Sequence, residues 1–487
     1  MNVISRPFLV PLLLLPALLS ACLGGSPGSG GGSPGRTSPS QVDGVDISAT
    51  PQGRCGPGSR PETGMQGRVS QADHDSGKAA LGFACNTQLV GSYVTENAIG
   101  TVGGFKVERY VDKSGRECAY YDSTLLFPSN ILDREVGVNV FDMSDPTNPI
   151  KTTALVTPAM LSPHESVVVS QQGGILAAVA GNLAFGPGIV DVYDISEDCR
   201  APVLKSSTPL GILGHESGLS PDGKTFFSAS PSTSTVIALD ISNPSIPRPL
   251  WSGNYPSHGL SLSEDGNRAY LALIDDPSGV LVLDVSEIQA RKANPQVKEI
   301  SFLTWDTVSI PQNAIPITIK GKPYLVEIDE FATGAGGLIV SANGPLVGAA
   351  RMIDISDETK PKVVSNLRLA VHNKANREAL ADDPGAQNPA GGYAGHYCNV
   401  PTRVDPTIVA CSMILSGLRI FDIRDPSNPI EVAYYNAPVQ PRILTQPAPA
   451  SNWAMSSPAF VPERKEIWYT DGYSGFYVVK VTNDVWK

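Results

Sequence analysis

One short phrase recurs seven times along this chain and constrains its fold more than any other feature. It consists of two or three alternating apolar residues, an Asp, another apolar residue and usually Ser or Thr. Repeats of about 40 to 50 residues with occasional insertions are typical of propellers and solenoids. The copies lie 44 to 70 residues apart and centre on Asp142, Asp194, Asp240, Asp284, Asp354, Asp422 and, in a degenerate last copy, Lys480.

The phrase itself predicts a strand followed by a sharp turn. Its residues alternate as they would in a strand packed between neighbouring sheets. In the clearest copy, the strand would end at Asp425-Pro426-Ser427-Asn428-Pro429, where the prolines remove ladder donors and the Asp and Asn favour turns. Seven unrelated amphipathic strands would not explain the shared Asp and turn. We therefore predict an all-β, seven-bladed β-propeller of four-stranded blades, with each phrase as the third strand.

The two ends of the repeat region complement each other. Residues 87–95 resemble the fourth strand of other copies but follow no third strand of their own, whereas the last copy ends at Trp486-Lys487 with no room for a fourth strand. An open ring would expose sheet edges. We predict that residues 87–95 supply the outer strand of the last blade, closing a propeller that spans residues 79–487.

The start of the chain predicts export. Residues 8–19 form an apolar stretch that follows Arg6 and is too short for a permanent membrane span. Leu19-Ser20-Ala21-Cys22 resembles the lipobox of bacterial lipoproteins, which implies that residues 1–21 are a signal peptide and that Cys22 is acylated, with palmitate among the chains. The alternative is a plain secretory signal with a chance Cys. The resemblance implies a lipid-anchored protein of the cell envelope, in an outer membrane or on the cell surface.

The residues after Cys22 read as a linker. Residues 23–40 are dominated by Gly, Ser and Pro, a composition typical of flexible coil, and the stretch up to residue 78 stays polar and Gly-rich. We predict a flexible tether over residues 22–78. The net charge of −11 argues against nucleic acid as a partner, and we expect a monomer.

Six cysteines follow Cys22: Cys55, Cys85, Cys118, Cys199, Cys398 and Cys411. An even number in an exported chain predicts three disulfides, although the spacing leaves most of the pairings open. One pair is favoured by position, because a hairpin through residues 401–406 would bring Cys398 and Cys411 together.

Two of the repeats also carry a family resemblance. Ile420-Phe421-Asp422-Ile423 and Val282-Leu283-Asp284-Val285, with a His opening the innermost strand, resemble LVIVD-repeat proteins. That family consists of exported bacterial and archaeal β-propellers, and the resemblance covers residues 80–487. It implies the fold but no particular reaction, and Lys480 and the long insertions depart from the consensus.

Four of the six histidines share one position in the repeat, 25 to 30 residues before the Asp of their blade. This position is the entrance of the innermost strand, which lines the central channel of a propeller. We therefore predict a partial ring of imidazoles at the channel mouth, acting as a ligand pocket or a transition-metal site. The alternative is that each ring is a repeat-encoded structural residue bonded to the backbone of the next blade. The candidate residues are His164, His215, His258, His396, the adjacent Glu165 and Glu216, and Asn313, which takes this place with Gln312 in blade 5.

Insertions add a second indication of function. The long ones fall at residues 121–135, 329–349, 371–395 and 437–452, all in connections that share a face with the histidines, and binding sites are commonly built from such loops. The sequence carries no recognisable catalytic motif, and Asp329-Glu330 is interpreted as a pair of solvated loop charges. Two functions remain: a non-enzymatic module that binds a protein or glycan through this face, or a metal-dependent oxidoreductase or hydrolase. No cofactor is firmly predicted.

Overall fold

The described residues form seven four-stranded antiparallel sheets, which confirms the predicted propeller. The computed structural model describes residues 37–38, 40–42, 48–95, 101–123, 135–182, 188–305, 310–330, 332–333, 339–340, 346–381, 383, 392–439 and 452–487. The predicted signal peptide, the predicted acylation site at Cys22 and parts of all four insertions lie outside these residues. No helix in the described part of the chain is long and apolar enough to cross a membrane.

The strands are given from the innermost to the outermost in each blade. Blade 1 comprises Val107–Val111, Glu117–Asp122, Val138–Asp142 and Ile150–Leu155. Blade 2 comprises Val168–Ser170, Ile175–Val179, Val190–Asp194 and Val203–Thr208. Blade 3 comprises Gly218–Leu219, Thr225–Ser230, Thr235–Asp240 and Arg248–Gly253. Blade 4 comprises Ser257–Leu262, Arg268–Leu273, Gly279–Asp284 and Lys298–Trp305. Blade 5 comprises Ile310–Ile319, Lys322–Glu330, Ala350–Asp354 and Lys362–Leu367. Blade 6 comprises Tyr397–Asn399, Ile408–Met413, Gly417–Asp422 and Ile430–Asn436. Blade 7 comprises Ala459–Val461, Glu466–Asp471, Gly475–Val481 and Thr87–Val94.

The repeated Asp ends the third strand of blades 1 to 6 and shapes the turn that follows. In each case its Oδ1 accepts the backbone N–H of the residue two positions later, as Asp354 does from Ser356 at 2.8 Å. Just before the Asp, the register between the third and fourth strands shifts by one residue, which is a β-bulge. The phrase therefore encodes a bulge and a capped turn in every copy that keeps the Asp.

The ring closes as predicted. Thr87–Val94 pairs antiparallel with Gly475–Val481 and supplies the fourth strand of the last blade. The pairing also carries a register shift, between Leu89 and Gly91, at the same place as the bulge in the other blades. The apolar core lies between neighbouring sheets, where side chains from adjacent blades pack together; Tyr121, Phe141 and Phe476 of blades 1 and 7 form one such stack.

The predicted tether is wrong for residues 48–78, which pack against the propeller. Gly53 donates its N–H to the backbone of Glu431 in the outer strand of blade 6, and the Glu62 carboxylate pairs with the fully buried Arg419. Further along, Phe83–Cys85 adds a fifth strand to the same sheet. Composition misled the prediction because this stretch is held largely by ion pairs, backbone bonds and a disulfide, with only a few apolar residues such as Met65 and Val69 packed against the core.

All six cysteines after Cys22 are paired, so the prediction of three disulfides is confirmed. Cys398 and Cys411 face each other across a hairpin, as their positions indicated. The other bonds join Cys118 to Cys199, which links blades 1 and 2, and Cys55 to Cys85, which holds the N-terminal segment.

Helices are few and short among the described residues. The α-helices are Gln71–Asp75, Pro158–Leu161, Ser286–Gln289 and Arg377–Leu380, and the 3-10 helices are Ala79–Leu81, Ala370–His372, Lys374–Asn376 and Pro462–Arg464. Ser286–Gln289 lies in a long connection between the third and fourth strands of blade 4, on the face opposite the other insertions. Two minor elements complete the fold: Ser40–Val42 pairs with the outer strand of blade 4, and Ile339–Val340, Ala332–Thr333 and Leu346–Val347 form a small sheet.

Candidate functional site

The four predicted histidines come together with two carboxylates from distant parts of the chain. His164, His215, His258 and His396 open the innermost strands of blades 2, 3, 4 and 6, and successive rings touch: the centroids of His164 and His215 are 4.3 Å apart, and those of His215 and His258 are 4.0 Å apart. All four histidines are buried, with at most 5% of each residue accessible to solvent. They form a buried cluster rather than an open ring at a channel mouth.

One half of the cluster is built from His164, Glu165 and His215. The Nε2 atoms of the two rings lie 3.0 Å apart, and Nδ1 of His215 lies 3.1 Å from Oε2 of Glu165. That Nδ1 also accepts the backbone N–H of Glu216 at 3.0 Å. Nδ1 of His215 therefore lies within hydrogen-bond distance of both a backbone N–H and a carboxylate oxygen.

The other half is organised by Glu330 of blade 5. Its Oε1 lies 2.7 Å from Nε2 of His258, and its Oε2 lies 3.2 Å from Nε2 of His396. Glu165 reaches this half as well, because its Oε1 is 3.6 Å from Nε2 of His396. Nδ1 of His396 bonds the backbone oxygen of Met455 in blade 7 at 2.6 Å.

A polar shell holds the carboxylates in place. Oε2 of Glu165 accepts hydrogen bonds from Gln312 Nε2 at 2.8 Å and from the Tyr397 hydroxyl at 3.0 Å. Glu216 makes a 2.6 Å ion pair with Lys106 and accepts a 3.0 Å bond from Asn313 Nδ2. The predicted residue Asn313 thus supports Glu216 and makes no described contact with the imidazoles.

The backbone is shaped to let these side chains meet. His164 and Glu165 both have positive φ, 42° and 71°, a conformation that costs energy for residues other than Gly and that clusters at functional sites. Gly259 leaves room for Glu216, since an added Cβ would lie 1.9 Å from Oε2 of that carboxylate. Gly181 leaves room for His164 in the same way, since a Cβ added to Gly181 would lie 2.3 Å from Cβ of His164.

Mutual electrostatics fix the charges in the cluster. Burial alone would lower the pKa of His258, but the neighbouring Glu330 carboxylate outweighs it and raises that pKa to about 9. Burial likewise opposes ionisation of Glu330, yet His258 and His396 lower its pKa to about 2. The pKa of Glu165 is also well below its ordinary value, because His215, His258 and His396 outweigh burial. Burial raises the pKa of Glu216 despite Lys106.

Two sets of three groups within the cluster have the geometry of metal ligands. His164, Glu165 and His215 form one set, and Glu165, Glu330 and His396 form the other, with the ligand atoms of each set all within 4.8 Å of one another. Imidazole and carboxylate together suit zinc, iron, manganese and copper.

Sequence reasoning missed three members of this site. Glu330 was interpreted as a solvated charge, but it is buried at the end of the second strand of blade 5. A usable signal was the run Glu327-Ile328-Asp329-Glu330, which places acidic residues inside a strand that reads as buried. Lys106 takes the histidine position in blade 1, where no polar equivalent was recognised, and Tyr397 was overlooked beside His396.

The fold and the cluster together define a seven-bladed β-propeller with a buried histidine and carboxylate centre. The LVIVD repeat family matches residues 415–437, the third and fourth strands of blade 6. That repeat and the seven blades fit the LVIVD-repeat β-propeller family, as the resemblance implied. None of the curated proteins matches the chain.

Solved structures match the chain at low identity. Hydrazine synthase from Kuenenia stuttgartiensis is 12% identical with a TM-score of 0.47, covering 80% of this chain and 98% of that one. A chain of the mitotic checkpoint complex is 11% identical with a TM-score of 0.44, covering 81% and 93%. Similarity at this level carries no information about function.

Proposed function

We propose that this protein is an envelope-anchored binding module that holds a divalent transition metal in its histidine and carboxylate cluster. The observation that carries the proposal is the convergence of His164, His215, His258, Glu330 and His396, one from each of five blades, into one buried cluster around Glu165. Buried ionisable groups are costly unless they pair with each other or bind a cation.

Charge balance in the cluster depends on the imidazoles. Among the described residues, Glu216 pairs with Lys106, whereas Glu165 and Glu330 are paired with histidine rings, whose protons a bound metal ion can replace. Nδ1 of His258 is buried and has no hydrogen-bond partner among the described residues. Nδ1 of His396 bonds the backbone of the next blade, as the structural alternative predicts, but its Nε2 faces Glu330 and Glu165. The other three rings approach one another and the carboxylates.

The ligand set indicates the class of metal. All six cysteines in the described residues form disulfides, so the donors are imidazole nitrogens and carboxylate oxygens. Sites rich in imidazole favour zinc, copper and iron, and carboxylates add manganese, whereas calcium and magnesium prefer oxygen alone.

Metal analysis of the mature protein, purified without a His tag, tests the proposal. We expect stoichiometric zinc, iron, manganese or copper in the wild type and its loss in a variant with Ala at His164, His215 and His258. His74→Ala is the matched control, since His74 lies in the helix Gln71–Asp75, outside the cluster. Absence of metal from wild-type protein that rebinds none after dialysis would overturn the proposal.

Anchoring at Cys22 belongs to the same proposal. It is supported by the lipobox-like sequence and by the three disulfides, which are typical of proteins folded in an oxidising, extracytoplasmic compartment. Labelling of cells with an alkyne palmitate should mark the wild type and leave Cys22→Ala unlabelled and released from the membrane fraction. Equal labelling of both proteins would contradict the anchor.

Binding of a protein or glycan at the face that carries the insertions is also part of this proposal. A variant that lacks the whole insertion 371–395 would also lose Val371, Leu380 and Tyr393, which are buried in the core, so it would test folding rather than binding. Replacing residues 384–391 with a Gly/Ser segment avoids those side chains, and substitution of the exposed residues 292–294 on the opposite face is the control. Unchanged capture from envelope extracts by the first variant would count against this loop.

A second candidate is a metal-dependent oxidoreductase or hydrolase. The Tyr397 hydroxyl favours it, because this group lies 3.0 Å from the candidate ligand Glu165 and could donate a proton beside a bound metal. Catalysis needs an exchangeable position on the ion. A shift in the visible spectrum of the cobalt-substituted protein on adding azide would support the enzyme, and an unchanged spectrum would leave the binding function.

A further inference from the structure

We infer that the cluster is a dinuclear centre in which Glu165 bridges two metal ions. The inference rests on the proposed metal-binding function and adds the number of ions and the bridging group. It starts from the two candidate ligand sets, His164 with Glu165 and His215, and Glu165 with Glu330 and His396, which share one residue.

The two oxygens of Glu165 face different sets. Oε2 lies 3.1 Å from Nδ1 of His215, whereas Oε1 lies 3.6 Å from Nε2 of His396. A carboxylate that offers one oxygen to each of two neighbouring sites is the usual bridge between metal ions about 3.5 to 4 Å apart. Glu165 is the one residue that belongs to both sets among the described residues.

The first site has two imidazoles whose Nε2 atoms face each other, while Nδ1 of His215 faces Glu165. Nε2 of His164 and Nε2 of His215 are 3.0 Å apart, close to the separation of two nitrogens on one tetrahedral ion with metal–nitrogen bonds of about 2.0 to 2.1 Å. The left-handed backbone at His164 and Glu165 turns these consecutive side chains toward the same point.

The second site has a second carboxylate. Glu330 approaches Nε2 of His396 at 3.2 Å through Oε2 and Nε2 of His258 at 2.7 Å through Oε1. His258 therefore stands beside this site as a further nitrogen donor. Glu165, Glu330 and His396 supply two carboxylates and one imidazole as the ligand set for a second ion.

The shell around Glu165 is consistent with a bridge. Gln312 and Tyr397 both donate hydrogen bonds to Oε2, which orients the carboxylate between the two sets. Such outer contacts fix the direction of ligand lone pairs and tune the metal. The ring of Phe105 packs against the rings of both His164 and His396, with centroid separations of 5.2 and 5.3 Å. Phe105 therefore contacts a histidine of each site.

Titration of metal-free, untagged full-length protein with Zn²⁺ tests the inference. We expect two ions per chain in wild type and in His74→Ala, one in His164→Ala, and one in Glu330→Gln, with circular dichroism confirming that each variant is folded. One ion per wild-type chain would keep the proposed metal-binding function and overturn the dinuclear centre. No ion would overturn both.

Spin coupling provides a readout that does not depend on mutating the cluster. With Mn²⁺ at saturation, two ions bridged by Glu165 should interact by exchange and give an electron paramagnetic resonance spectrum with half the hyperfine splitting of an isolated ion. A spectrum of isolated Mn²⁺ at full loading would show two separate ions and overturn the bridge.

Discussion

At the scale of single residues, the cluster depends on small groups that make room for large ones. His258 and Gly259 are consecutive at the start of the innermost strand of blade 4, where one supplies an imidazole and the other leaves space for Glu216. Glu216 in turn is held by Lys106 and Asn313. Gly259 and Glu216 therefore fit together across neighbouring blades, and adding a side chain at Gly259 should displace the carboxylate.

Gly259→Ala tests this arrangement. The added Cβ would lie 1.9 Å from Oε2 of Glu216, so the carboxylate must move and lose its contacts with Lys106 and Asn313. We expect metal affinity to fall roughly 10- to 100-fold, as it does when outer contacts of a metal site are lost. Gly64→Ala is the control, since nothing lies within 4 Å of its added Cβ. Equal affinities of the two variants, measured by competition with a chelating dye, would contradict the account.

At the scale of the structural element, what the repeated phrase specifies is a β-bulge and a capped turn at the end of the third strand, in addition to the apolar residues of that strand. The alternating pattern and the Asp revealed the third strand of each blade and even the donated outer strand of the last one, because both signals are local. What remained hidden depended on contacts between distant segments: Glu330 is buried because His258 and His396 face it, and Glu62 because Arg419 faces it. Polar residues that find a distant partner look like solvated loops in a sequence.

The Asp of the repeat should be worth a measurable amount of stability. Asp354→Ala removes the acceptor for the Ser356 N–H, and we expect the free energy of unfolding to fall by about 1 kcal/mol at pH 7, a modest value because the carboxylate is partly exposed. Asp354→Asn keeps an acceptor oxygen and should lose less. Urea denaturation of the three proteins measures both differences.

The same residue predicts a pH dependence. Burial would raise the pKa of Asp354, but hydrogen bonds from Ser356 and nearby lysines outweigh it and lower the pKa below the ordinary value of 3.8. The carboxylate's contribution is therefore present above pH 3.8 and is lost as the pH falls through the lower pKa of the folded protein. The stability difference between wild type and Asp354→Asn should close in acid. A difference that stays constant from pH 7 to acid would contradict this assignment.

At the scale of the whole molecule, the N-terminal segment belongs to the folded unit. It pairs with blade 4 through Ser40–Val42, with blade 6 through Phe83–Cys85 and with blade 7 through Thr87–Val94. It thus covers outer strands that would otherwise be exposed edges.

Glu62→Ala should show that this segment stabilises the propeller. The change leaves the buried Arg419 with Glu431 alone, and breaking one partner of a buried ion pair costs about 3 kcal/mol. Glu197→Ala is the matched control, because the pair of Glu197 with Lys113 is exposed to solvent and should contribute little to stability. Thermal unfolding compares the two variants, and equal melting temperatures would mean that the segment does not hold the propeller together.

The most direct test of the central claim is a crystal structure of the untagged protein with diffraction recorded at the absorption edge of the metal it contains. The account predicts anomalous density between His164, His215 and Glu165, with metal–nitrogen distances of about 2.0 to 2.1 Å. Density at Glu330 and His396 would add the second ion. A cluster whose imidazoles contact only water and one another, in crystals soaked with Zn²⁺, would contradict it.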